Sequence, residues 1–245
     1  MQDLLVLKKL TKRFGGVIAA RDVDLNLEGG MRLGIIGPNG AGKTTLFNMI
    51  TGEIKPTAGT IEFEGEPIHG LKPHHISKRG IGRTFQIVRV FDEIPVYDNV
   101  LIGALARELH FKPTQEQHRE VDETIEMTGL QKYRDVMAEN LTVSAKKRVG
   151  LATALATKPK LLLLDELMAG LTFVEIDEML ELLRKINGEM GITLVVVEHV
   201  MKAVMELCER IVVISSGEKI AEGSPQEIAN DKKVVDVYLG EEERT

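Results

Sequence analysis

The chain of 245 residues contains no tryptophan, and only 4% of it is aromatic. That scarcity argues against a surface that stacks the bases of single-stranded nucleic acid. Positive charge is also short. With 31 basic against 37 acidic residues the formal net charge is -6, so no broad cationic field draws nucleic acid or anionic membrane, and a nucleic-acid partner is not expected. One cysteine, Cys208, cannot close an internal disulfide. The opening stretch MQDLLVLKKL lacks the long apolar core of a secretion signal, and no uninterrupted apolar run approaches the roughly 18 to 20 residues that cross a bilayer. A cytoplasmic location is expected, with any work at a membrane passing through separate spanning subunits. The length allows one large α/β domain or two small ones, and the organisation below favours one domain with a subdomain.

What the chain does have begins with glycine. Gly37, Pro38, Asn39, Gly40, Ala41, Gly42, Lys43, Thr44 and Thr45 directly follow Leu33, Gly34, Ile35 and Ile36, a short buried-strand run. Strand, glycine loop and helix in that order form a phosphate cradle. Glycine permits positive φ, so main-chain N–H groups turn inward around a β-phosphate, and the helix beginning near Lys43 adds the positive end of its dipole. Lys43 neutralises β/γ charge, and the Thr44 hydroxyl suits Mg²⁺. Nucleotide is therefore the first-choice ligand.

Further apolar runs recur at Leu161 to Glu166, Thr193 to His199 and Ile211 to Ser216, and read as strands buried on both faces. Between the first two of these, Ile176, Met179, Leu180, Leu183 and Ile186 fall at helical spacing, so strand, helix, strand implies a parallel sheet. Leu4 to Leu10, Val23 to Glu28 and Thr60 to Phe63 look like a mainly antiparallel sheet beside that core. From about Ile87 to Lys160 strand signals fade, and Thr114 with Gln117 reads as a capping box for a helix that Gly129 closes. The tail GEEERT reads as a solvated end. His74 and His75 read as loop residues, since no cluster completes a metal site. Lys146, Lys147 and Arg148 read as a solvated helix face, and Met201, Val204, Met205 and Cys208 as helical core.

The run LLLLDE delivers Asp165 and Glu166 to the carboxyl end of a strand, where open α/β sheets bind ligands. Asp165 can hold Mg²⁺ through water, and Glu166 can polarise the water that attacks a γ-phosphate. His199 follows a strand at the same edge and can contact that phosphate; a histidine taken alone is more often packed or capping, but its place after a strand in a chain with this glycine loop reverses that preference.

With these residues in place, the chain resembles the ATP-binding cassette ATPases over essentially its whole length. The resemblance implies a P-loop NTPase with a RecA-like parallel-sheet core, an antiparallel β subdomain and an α-helical subdomain. It implies one nucleotide-binding domain over residues 1–245, with core and β subdomain at about 1–86 and 161–245 and the helical subdomain at about 87–160. By the same resemblance Phe14 in KRFGG stacks on adenine, and Gln86 in GRTFQ senses Mg²⁺ and γ-phosphate. The family's signature segment, LSGGQ, presents a helix N-terminus to the ATP of a second cassette. Here Leu141, Thr142, Val143, Ser144 and Ala145 fill it, with Thr142 and Ser144 the residues carried over as nucleotide contacts. Ala145 cannot hydrogen-bond a ribose, so ATP sandwiching is expected to weaken by about 0.5–1.5 kcal/mol per lost neutral hydrogen bond. Leu167 replaces the family's usual proline, and Thr172 its coupling aspartate.

The runs RGIGRTFQIVRVF and VVDVYLGE look like the import ATPases of the branched-chain amino-acid type. That implies ATP with Mg²⁺, a second ATPase chain, identical or different, transmembrane permease subunits, a solute-binding protein, and a peripheral place on the inner face of the cell membrane. Two readings stand beside it: the ATPase of a lipid or lipopolysaccharide exporter, and a nucleotide-gated binding subunit whose altered signature supports little hydrolysis.

Overall fold

The computed structural model describes residues 3–86, 89–107 and 112–242. Its contacts separate into two compact units, residues 1–76 with 193–245, and residues 77–192.

The first unit opens with β1 (Asp3–Phe14) and β2 (Val17–Glu28), antiparallel neighbours that bury alternate residues such as Leu5 and Leu7, then Val23, Leu25 and Leu27. The period-2 spacing of those side chains directs one face into the core. The chain continues into β3 (Arg32–Ile36), the glycine loop and α1 (Lys43–Ile50), then β4 (Ala58–Phe63) and the short β5 (Glu66–Pro67). β4 pairs antiparallel with the free side of β1, giving the order β2-β1-β4-β5. α2 (Pro73–Lys78) then leads across into the second unit. It corrects the reading of His74 and His75 as loop residues: both lie on this helix, with ring centroids 4.1 Å apart.

The second unit holds β6 (Ile81–Arg83), α3 (Val96–Leu105), α4 (Gln115–Met127), α5 (Val143–Ala156), β7 (Leu161–Asp165) and α6 (Phe173–Met190). The predicted capping box is present. The Thr114 hydroxyl accepts from the Gln117 N–H, the Gln117 side chain accepts from the Thr114 N–H, and Gly129 at φ +70° follows the end of α4. Val96, Val100, Val121, Ile125, Val149 and Ala152 from α3, α4 and α5 form the apolar core of these helices. β6 and β7 pair in parallel, with Ile81 opposite Leu161 and Arg83 opposite Leu163. α6 carries the predicted apolar stripe, buried at Ile176, Met179, Leu180, Leu183 and Ile186, and stops at Gly191 in a left-handed conformation.

The chain then re-enters the first unit with β8 (Thr193–Val197), α7 (Met201–Leu207), β9 (Arg210–Ser215), β10 (Glu218–Gly223), α8 (Pro225–Ala229) and α9 (Lys232–Glu242). β3 lies between β8 and β9, parallel to both, so its apolar residues are covered on all sides and its carboxyl end delivers the glycine loop. The tail read as a solvated end begins inside α9, and residues 243–245 lie outside the described residues. Among the described residues no helix is long and apolar enough to cross a membrane.

Candidate nucleotide-binding and hydrolytic site

The phosphate cradle is built by close backbone approach. Gly37 sits at φ +150°, where an added Cβ would lie 1.9 Å from the Ile214 carbonyl oxygen, and Gly42 at φ +106°, where one would lie 2.1 Å from that of Ala19. No side-chain-bearing residue fits either place without moving β9 or β2. The loop is pinned further by the Gly217 N–H donating to the Ala41 carbonyl at 2.9 Å. α1 starts at Lys43 with no side-chain cap and no acidic residue in its first turn, which leaves its N-terminal amides suited to an anion. Lys43 is buried, its Nζ donating to the carbonyls of Gly37 at 2.6 Å and Pro38 at 2.9 Å. Asn39, Gly40 and Thr44 are exposed, Pro38 and Thr45 half-buried.

Two other predicted residues belong to the same unit. Phe14 ends β1 with its ring 49% exposed, and Lys12 Nζ stands 4.9 Å from its centroid. A large ring left in water at a strand end is available for stacking. His199 is exposed in the short connection between β8 and α7, after the buried Glu198.

The second unit carries the carboxylates. Asp165 ends β7, buried; its Oδ2 accepts from Arg83 Nη2 at 2.8 Å, while its Oδ1 is buried without a hydrogen-bond partner among the described residues. An unsatisfied buried carboxylate oxygen is costly unless a cation or water completes it, so the donor set fits a hard metal ion. Glu166 follows at φ +50°, a sparsely populated backbone conformation for a non-glycine residue. Its Oε2 accepts from Gln86 Nε2 at 2.7 Å, so Gln86 and Glu166 meet although 80 residues separate them in sequence.

The segment Leu141 to Ala145 begins α5. The Thr142 hydroxyl accepts from the Ala145 N–H at 3.2 Å as its N-cap; Thr142 and Val143 are exposed, Ala145 buried. Thr172 caps α6 in turn, its N–H and hydroxyl each 2.9 Å from Glu175 Oε2. These bonds from Thr172, with a further one from Ser144, hold the Glu175 carboxyl below its ordinary range.

A sequence profile described as ABC transporter matches residues 20–169, and one described as branched-chain amino acid ATP-binding cassette transporter matches residues 218–244. The chain belongs to the ABC transporter family of ATP-binding cassettes. It is 36% identical to the high-affinity branched-chain amino acid transport ATP-binding protein BraF of Pseudomonas aeruginosa, and 37% identical to LivG of Escherichia coli, which carries the same description. Each alignment covers 98% of this chain and 99% of the relative. It is also 35% identical to the lipopolysaccharide export system ATP-binding protein LptB of Escherichia coli, over 98% of both chains. Its fold resembles a solved ABC transporter cassette in the ADP conformation, with TM-score 0.89, 30% identity and coverage of 98% and 100%. A dimeric bacterial cassette gives TM-score 0.82 and 28% identity over 90% and 98%.

The cassette thus has the α/β P-loop NTPase fold read from its sequence, and it is an ATPase by family. Its basic cluster corrects the reading of a solvated face. Lys147 is 5% exposed, Lys146 is paired with Asp92 and Arg148 with Glu178. The signal lay in the flanks. Apart from the triplet the run VSAKKRVGLATALA holds only small, hydroxyl and apolar residues, so a lysine buried within that helix must find polar partners. Arg83 was missed as well. Nothing in the spacing of IGRTFQ announces a partner 82 residues away.

Proposed function

We propose that this cassette is the ATP-hydrolysing subunit of an importer for branched-chain or other amino acids. The observation that carries the reading is the match of residues 218–244, a segment remote in sequence from the phosphate loop, to the branched-chain amino acid cassettes. The names of BraF and LivG support the same cargo class.

In this reading the amides of residues 37 to 45 enclose the phosphates of ATP, and Lys43 trades the carbonyls of Gly37 and Pro38 for β/γ oxygens. Phe14 stacks on adenine. Thr44, Asp165 through water, and Gln86 are the residues that would hold Mg²⁺, which when bound supplies neutralising charge to the phosphates. Glu166 accepts a proton from water as the water oxygen bonds to the γ-phosphorus and the bond to the β–γ bridging oxygen breaks, leaving ADP with that electron pair. His199 contacts the γ-phosphate. Thr142, Ser144 and the N-terminal amides of α5 face the nucleotide of a second cassette, identical or different. The whole chain then acts as one nucleotide-binding domain, peripheral on the inner face of the membrane, attached to permease subunits and served by a solute-binding protein.

Single-turnover cleavage of ATP by the purified chain, compared with Glu166→Gln, tests the chemistry; a Glu166→Gln rate equal to that of the parent rejects Glu166 as base. Uptake of radiolabelled leucine, isoleucine and valine by cells carrying only the Lys43→Ala allele tests the cargo. Loss of uptake is expected, and normal uptake with defective lipopolysaccharide export would favour the exporter reading, which the similarity to LptB motivates.

A further inference from the structure

Resting on the reading of Glu166 as the base, we propose that Lys147 is its positioning residue, a buried strut from the signature helix to the backbone of the general base. Lys147 lies in the second turn of α5 and is 5% exposed. Its Nζ donates to the Glu166 carbonyl at 3.1 Å and to the Ala169 carbonyl at 2.6 Å. Those two carbonyls bracket the turn that leaves β7, whose own closing bond, from the Ala169 N–H to the Glu166 carbonyl, is a long 3.4 Å. Glu166 holds φ +50° within that turn, and a residue with a Cβ keeps such a conformation only where its surroundings over-determine it. The buried ammonium supplies that constraint through charge-assisted bonds to the main chain.

The strut does not act on a loose helix. Ser144, Lys147 and Arg148 stand at i, i+3 and i+4 and so share one face of α5. From that face Arg148 Nη2 donates to Glu178 Oε2 at 2.6 Å. One helix face therefore grips the chain at successive points from residue 166 to residue 178. Glu166 is held at its carbonyl by Lys147 and at its carboxylate by Gln86. A shift of the start of α5, capped by Thr142 and carrying Ser144 in its first turn, is passed to the base through the bonds from Lys147 Nζ to the main-chain carbonyls of Glu166 and Ala169. In a chain with Thr172 where the family places its coupling aspartate, this is an in-chain route from the signature segment to the attacking water.

The test uses the full chain in a double-mutant cycle read by single-turnover ATP cleavage, with ATP affinity measured in parallel by calorimetry. Lys147→Met keeps the length of the side chain and removes its donors. It is expected to slow cleavage by about ten- to a hundred-fold, the scale of a catalytic group misplaced by about an ångström, while affinity changes by less than about two-fold. Lys147→Arg, which keeps donors for both carbonyls, recovers most of the rate. In a Glu166→Gln background Lys147→Met costs less than about two-fold more, because both act through one group. Equal fractional losses in the two backgrounds, an unchanged rate in Lys147→Met, or a joint fall of rate and affinity would each overturn the strut. Should the methionine chain not fold, Lys147→Gln is taken round the same cycle under the same criterion. A chain indifferent to Glu166→Gln removes the base and the strut together, whereas sensitivity to Glu166→Gln with additive losses removes the strut alone.

Discussion

Replacing Arg83 by methionine removes the guanidinium that pairs with Asp165, together with its cation–π contact 5.0 Å from the Phe85 ring centroid. Arg83 Nη2 reaches Asp165 Oδ2 at 2.8 Å, and the two side chains are 6% and 3% exposed. Solvent therefore does little to screen the pair or to rescue either charge once alone. Removing one partner of such a pair strands the other, at a cost of about 3–5 kcal/mol. In a chain of this size each kcal/mol lowers the melting temperature by about 2–4 °C, so the nucleotide-free protein in EDTA is expected to melt about 6–20 °C below the parent by circular dichroism. Adding Asp165→Asn removes the stranded charge and should recover more than half of that loss. Lys9→Met provides the control: it breaks an ion pair to Asp24 whose side chains are 70% and 47% exposed, and is expected to leave the melting curve in place. Were Arg83→Met to melt within about 2 °C of the parent, or the double variant to melt no higher than the single, the claim of an unscreened pair would fail.

Gly42→Ala puts a Cβ 2.1 Å from the Ala19 carbonyl in a left-handed backbone; it should abolish ATP binding by calorimetry while costing stability of about 1–3 kcal/mol in urea unfolding, and full affinity would contradict the cradle. Burial pushes the Cys208 thiol up to about 12, so the native chain stays protonated there and should resist iodoacetamide at about pH 8, reacting stoichiometrically only in denaturant. Bonds from Thr172 keep Glu175 ionised below its ordinary value of 4.5, so its capping contribution is complete above that pH and fades as pH falls through the lower folded value. The stability gap between the parent and Glu175→Gln should accordingly narrow between about pH 6 and pH 3 in urea titrations; a gap independent of pH would refute the ionised cap.

The readable features were those whose physics is local. The glycine loop announced itself because positive φ and inward amides need glycine at fixed offsets, and β3, β8 and β9 because strands covered on both faces must be apolar throughout. The Thr114–Gln117 capping box was legible for the same reason, being closed within four residues. The family pattern drew attention to Gln86, and the fold added its bond to Glu166. Lys147 was misread because charge pattern describes the side chain and not its surroundings; only the packing of α5 turned a basic triplet into one buried strut and two ion pairs.

The linear chain thus determined the phosphate loop, the acidic pair at a strand end, and the apolar strands and amphipathic helix of the core, each fixed by neighbours a few residues apart. What holds Asp165 and the backbone of Glu166 in place was left to the tertiary structure. Arg83 and Lys147 reach them across spans of 82 and 19 residues, and such meetings depend on the register of β6 against β7 and on how α5 is seated. No residue spacing along one strand or one helix encodes that register.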